Sequence, residues 1–109
     1  MIEIVKDYND KYDIYYKIIK DNNDIGYIGV LFDSINIINI FVKNNYQGYG
    51  YGSKSFDLVL NELKNIYKII ITIPSDNIKM LRIVNHYKNI IINKNDDLIT
   101  YSIINEKKA

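Results

Sequence analysis

Cysteine is absent from the 109 residues, and histidine occurs once, at His86. The chain therefore has no disulfide framework, no thiol nucleophile, no serine–histidine triad signature and no zinc site of the usual nitrogen and sulfur ligands. An excess of one charge is missing as well. Fourteen Lys and Arg against 13 Asp and Glu leave a net charge of +1, too weak a field to hold a polyanion, so no nucleic-acid partner is expected. No stretch approaches the ~20 consecutive apolar residues of a membrane span. The start, Met1 to Lys6, interrupts its apolar residues with charges and so forms no signal-peptide core. The expectation is a cytoplasmic protein with no membrane partner. Pro74, Arg82 and Ala109 are each the only residue of their kind, and no proline- or serine-rich linker divides the chain. What remains is 48% hydrophobic and 25% charged. That is the composition of a single globular domain over residues 1–109, with a radius of gyration of ~13 Å.

Hydrophobic periodicity orders the elements. Tyr12 to Lys20 is rich in β-branched and aromatic residues and ends in the polar cluster Asp21 to Asp24, a strand and a turn. Ile25 to Phe32 and Ile35 to Val42 follow around Asp33-Ser34 as an antiparallel meander, with Ile2 to Val5 adding a strand. After Gly52 the period changes. Phe56, Val59, Leu60 and Leu63 form one apolar stripe of a helix from about Ser53 to Asn65. Lys68 to Ile73 is a continuous β-branched run, as expected of a strand covered on both faces. Pro74 ends it, and Ser75, Asp76 or Asn77 caps a second helix with Met80, Leu81, Val84 and Tyr87 on its buried side. Ile90 to Ile92 and Leu98 to Ile104 close the domain as a hairpin, leaving a frayed tail from Asn105 to Ala109. The fold class is α/β with layered α+β character, built on a mixed central sheet in the order β-β-β-α-β-α-β-β.

Between the third strand and the first helix lies Tyr46-Gln47-Gly48-Tyr49-Gly50-Tyr51-Gly52-Ser53. Alternating glycines bring backbone amides close to a ligand, and the helix start adds its positive dipole end, so a phosphate is the natural guest. The spacing fits neither a P-loop nor a dinucleotide fingerprint. A Gly/Tyr turn without ligand and a base-stacking surface of Tyr46, Tyr49 and Tyr51 are the alternatives. The pattern [QR]-x-x-G-x-[GA], met by Gln47, Gly50 and Gly52, resembles the pyrophosphate loop of the GNAT superfamily of acyl-CoA-dependent N-acetyltransferases. With Asn39 to Val42 before it and Asn77 after the buried strand, the motif is most similar to that of ribosomal-protein and N-terminal acetyltransferases. The resemblance covers about residues 25 to 104.

That resemblance implies a GNAT-like sheet with the N-terminal helices reduced or absent, and acetyl-CoA as acyl donor with no metal. Backbone groups of Ile40, Phe41 and Val42 would hold the pantetheine arm. Gln47, Gly48, Tyr49, Gly50, Tyr51, Gly52 and Ser53 would surround the pyrophosphate with Lys54 nearby, and Asn77 would meet the pantetheine. Ser53 and Asn77 also read as helix caps. The family's usual catalytic groups are missing: the tyrosine acid falls on Val84 and the frequent carboxylate on Thr72. Tyr87, one turn on, is the substitute acid, whereas Asp33 reads as a turn residue and His86 as a surface residue at the helix end. If Val84 occupies the acid's position, it faces the thioester and Val84→Tyr raises turnover. Residues 6 to 12 are too short for the two helices that family members place over the acceptor site. The acceptor site is then either open, suiting a peptide or protein amine, or completed by a second subunit in a homodimer. The activity implied is acetyl transfer to an amine by direct attack. The alternative is a non-catalytic acyl-CoA-binding or protein-interaction module.

Overall fold

Most of the first 42 residues go into four strands, as their β-branched and aromatic content favours. In the computed structural model, which describes residues 1–32 and 36–105, these are β1 (Ile2–Asp7), β2 (Ile14–Lys20), β3 (Asn23–Phe32) and β4 (Asn36–Val42). Consecutive strands pair antiparallel. The β2–β3 hairpin closes more tightly than the polar cluster suggests. Asp21 and Asn22 alone make the turn, both with positive φ (50° and 67°), a conformation in which Asn and Asp are tolerated. A short 3-10 turn (Asn44–Tyr46) leads to α1 (Tyr51–Glu62), then β5 (Lys68–Pro74), α2 (Ile78–Asn85), β6 (Asn89–Lys94) and β7 (Leu98–Ile104). The seven strands form one sheet in the order β1-β2-β3-β4-β5-β7-β6. Only β4 and β5 run parallel. No helix among the described residues is long and apolar enough to cross a membrane. The expected turn at Asp33-Ser34 and the tail from residue 106 lie outside the described residues.

Both helices pack on one face of the sheet. Phe56, Val59 and Leu60 of α1 are fully buried, Leu63 nearly so, and they share one core cluster with Ile83 and Val84 of α2 and with Ile28, Val30, Ile38, Ile69 and Ile71 of the strands. The opposite face carries no helix, which corrects the expectation for β5. Ile69, Ile71 and Ile73 are buried, but Ile70 is half-buried and Thr72 exposed, its hydroxyl 2.9 Å from that of Thr100. An unbroken isoleucine run here reflects β propensity on the second face rather than burial.

The C-terminal end of α1 corrects a second expectation. Asn105 is not frayed: it is 3% exposed, its amide donates to the carbonyls of Leu60 (3.1 Å) and Leu63 (3.0 Å), and its backbone N–H donates to Tyr67 O (2.8 Å). One side chain satisfies carbonyls that the helix end leaves without intrahelical donors. Asn105→Ala is expected to cost about 1–3 kcal/mol, the penalty for stranding buried acceptors, and to lower Tm by roughly 5–15 °C. A thermal melt followed by circular dichroism reads the difference.

Candidate functional site

Between the parallel strands the ladder is minimal. Among the described residues Ile37 and Ile70 are the one registered pair, and Asn36 Nδ2 donates to Lys68 O at 3.2 Å nearby. The strands are tied near their starts and part toward their carboxyl ends, leaving the β5-facing edge of Ile40–Val42 without a strand partner. Crevices outside the carboxyl ends of parallel strands are where open α/β sheets bind ligands. A cleft of about 500 Å³ opens here, and Ile40, Phe41, Val42, Gln47, Gly48, Gly50, Tyr51, Gly52, Ser53 and Asn77 all line it. Tyr49 does not: it is 68% exposed and stacks outside on Tyr51 at 5.5 Å.

The loop geometry is suited to an anion. Gly48 and Gly50 have φ of 87° and 81°, and nothing stands within 4 Å of where a Cβ on Gly50 would be. Gly50 is the N-cap of α1 and offers no side chain to the first-turn amides, and that turn contains no acid to offset its partial positive charge. The helix thus begins at Tyr51, two residues earlier than expected, so Ser53 lies within the first turn and is not a cap. Gln47 acts on the loop itself. Its Nε2 donates to Val42 O (2.7 Å) and Asn44 Oδ1 (3.3 Å), folding the chain back on the end of β4. Gly52 lies close to two elements, its missing Cβ 3.6 Å from both Ile83 Cδ1 and Val42 Cγ2.

The facing wall comes from α2. Asn77 caps this helix, its Oδ1 accepting from Met80 N at 3.2 Å. Lys79, Arg82 and His86, with Met80 and Ile83, complete the lining. The sequence reading gives Lys79 and Arg82 no role, although positions 79, 82 and 86 recur at the spacing of one helix face; His86 is exposed at the helix end as expected and borders the cleft as well. Lys79 Nζ lies 3.8 Å from the Cβ position of Gly48. Neither Lys79 nor Arg82 is ion-paired with a described residue.

The catalytic expectations fare differently. Val84 is fully buried in the core and is not among the residues lining the cleft, so it is a packing residue. Tyr87 borders a second hollow beyond the α1 N-terminus, with Lys54, Asp57, His86 and Lys88. Its hydroxyl donates to Asp57 Oδ1 at 3.1 Å and its ring meets Phe56 edge-on at 5.6 Å. Burial, then the charge of Asp57 and the hydrogen bond to it, push the Tyr87 pKa well above the ordinary phenol value, so it holds its proton tightly. The Asp33 and Ser34 positions lie outside the described residues.

No family model and no curated protein sequence matches the chain. Solved structures do. A GNAT family acetyltransferase from Elizabethkingia anophelis with acetyl-CoA bound superimposes with a TM-score of 0.74 at 18% identity, over 94% of this chain and 97% of that one. The ribosomal-protein alanine N-acetyltransferase of Escherichia coli gives 0.74 at 12% identity, over 94% and 74% of the two chains. A GNAT family acetyltransferase from Streptococcus pneumoniae gives 0.72 at 14% identity over 84% of this chain, which spans 65% of that longer protein. The chain has the GNAT acetyltransferase fold in a small form, as the loop motif implied.

Proposed function

We propose that the chain binds acetyl-CoA in this cleft and passes its acetyl group to an amine by direct attack. The observation that carries the reading is a convergence at the parting ends of β4 and β5. An uncapped helix start, two left-handed glycines and the Lys79–Arg82–His86 stripe face one another above an apolar slot. Each of the three favours a polyphosphate. Bound there, acetyl-CoA would supply an acetyl group activated as a thioester. The amides of Tyr51, Gly52 and Ser53 and the charges of Lys79 and Arg82 would hold its pyrophosphate. The open edge of Ile40–Val42 would take its amide-bearing arm as a strand partner, bringing backbone N–H groups to the thioester oxygen. The amine nitrogen then bonds to the carbonyl carbon as the carbon–sulfur bond breaks. Its surplus proton leaves to water and the sulfur takes one from water, since Thr72 and Val84, at the positions of the family's usual base and acid, supply neither. Positioning and the backbone donors carry the rate.

The acyl-CoA-binding module is the second reading, favoured by the commitment of Tyr87 to Asp57 and of Val84 to the core. Calorimetry and an acceptor panel of peptide amines, lysine and polyamines separate the two. Turnover supports the enzyme, and donor binding without turnover on any acceptor supports the module. Gly50→Val tests the loop. A β-branched residue at that positive φ costs about 1–3 kcal/mol of stability and fills the space above the loop, so donor affinity is expected to fall at least tenfold. Unchanged affinity would leave the loop as a turn.

A further inference from the structure

The two edges of the sheet are protected differently. β1, at one edge, interrupts its apolar residues with Glu3, Lys6 and Asp7, and Asp7 pairs with Lys17 of β2 at 3.1 Å. Charges of this kind keep an exposed strand from pairing with another chain. β6, at the other edge, has none between Asn89 and Asn93. Its Ile90, Ile91 and Ile92 are 62%, 49% and 53% exposed, the one run of three consecutive exposed large apolar residues among the described residues. An uninterrupted exposed run of this kind is a liability unless something covers it. The cover has to reach both faces, because Ile90 lies opposite Ser102 on the helix-free face and Ile91 opposite Tyr101 on the helix-bearing face, with a bulge after Ile91. The backbone is open as well. Lys88 O accepts from Ile104 N at 2.8 Å, which turns the polar groups of residues 88 and 90 toward β7 and those of Asn89 and Ile91 outward. A partner lying on one face would leave the other face and this edge uncovered, whereas an added strand covers all three.

Charge and sequence select a second copy of β6 as that strand. We propose that two chains pair antiparallel through β6 about a two-fold axis, joining their seven-stranded sheets edge to edge. An axis between Ile91 and Ile92 sets Ile91 of each copy beside the partner's Ile92 and Asn89 beside the partner's Lys94. The same register brings Lys88 of each copy next to Asn95 and Asp96 of its partner, whereas an axis on Ile91 would set Lys88 directly against Lys94. Opposite charges then meet at both ends of the pairing, since the symmetry repeats each contact. The β1 edge of a second copy would instead press Glu3, Lys6 and Asp7 toward isoleucine, at the cost of their desolvation. The six residues that β6 offers from each copy make a short interface, at the low end for specific association, so dissociation in the micromolar range is expected. No residue of β6 lines the donor cleft, so the assembly stands independently of the donor reading.

Sedimentation equilibrium of the whole chain, from micromolar to submillimolar concentration, should show a monomer–dimer equilibrium. Ile90→Lys and Ile92→Lys, at exposed positions, are expected to keep the parent's Tm and to weaken dimerisation about tenfold or more. Val5→Lys on the other edge, where Val5 is also exposed, should leave the equilibrium unchanged. Hydrogen exchange gives a readout that needs no variant: the outward amides of Asn89 and Ile91 should exchange more slowly as protein concentration rises, while those of β1 do not respond. A parent that stays monomeric throughout, a dimer that survives both β6 variants, a dimer broken by Val5→Lys, or exchange at Asn89 and Ile91 independent of concentration would each overturn the proposal. CoA titrated by calorimetry into the parent and into Ile90→Lys should give one affinity. A dimer that binds no CoA removes the donor reading alone, and a monomer that binds CoA removes the β6 pairing alone.

Discussion

Acetyl-CoA at about 100 times its dissociation constant should stabilise the folded chain by about 2.7 kcal/mol through linkage, raising Tm by on the order of 10 °C for a domain of this size. The size of this effect is set by the ratio of ligand concentration to dissociation constant alone. Two contributions can be separated. The amides of the α1 first turn would hold phosphate by short-range hydrogen bonds that salt weakens less, while Lys79 and Arg82, at the cleft wall, would act through longer-range charge that salt screens over ~8–10 Å near physiological ionic strength. The shift should therefore shrink as salt rises, and Arg82→Gln should weaken donor binding severalfold at low salt and less at high salt. A chain shown to be folded whose Tm does not move in millimolar acetyl-CoA would end the donor reading.

Val84→Tyr is expected to destabilise the chain severely rather than to install an acid. Counting seven residues from Asn77 puts position 84 on the same side of α2 as the cap, and a tyrosine there would be the family's proton donor. In the folded chain that position is fully buried. A ring forced into a filled core costs about 3 kcal/mol or more at the upper end of overpacking, and a hydroxyl without a partner adds roughly 1–3 kcal/mol. Against a total stability of about 5–15 kcal/mol, a fall in Tm on the order of 20 °C or a failure to fold is the expected result. A variant with the parent's Tm and faster acetyl transfer would mean instead that α2 presents position 84 to the thioester.

Much of the cleft is legible in the sequence because its loop is a local object. Three alternate glycines between a strand and an apolar helical stripe leave few backbone paths, and the residues between Gln47 and Ser53 come together whatever else the chain does. The α2 contribution was not legible in the same way. Arg82 is the chain's only arginine and Lys79 one of many lysines. Nothing in their spacing says that their side of α2 meets the glycine loop, because that depends on where β5 sends the chain. His86 is exposed at the helix end, as its position predicts, and it also borders the cleft because the wall includes that helix end. Tyr87 was selected for its distance along the helix, and the fold turns its hydroxyl to Asp57 on α1.

The sequence by itself determined the element order, the strand-to-helix switch at the glycine loop, the apolar stripe of α1 and a capped helix start within Ser75 to Asn77. Each depends on neighbours within a few residues, where propensity and periodicity act directly. Tertiary structure alone decided that both helices share one face, leaving Thr72 exposed in a run of isoleucines and Tyr12, Tyr15, Tyr27 and Phe41 assembled on the other. It also decided that Asn105 closes α1 from 42 residues beyond Leu63, and that β4 and β5 part beyond the Ile37–Ile70 pair. These features arise from strand order and register between segments distant in sequence. A local pattern carries no information about which distant backbone will lie beside it, and that adjacency is what opens the cleft.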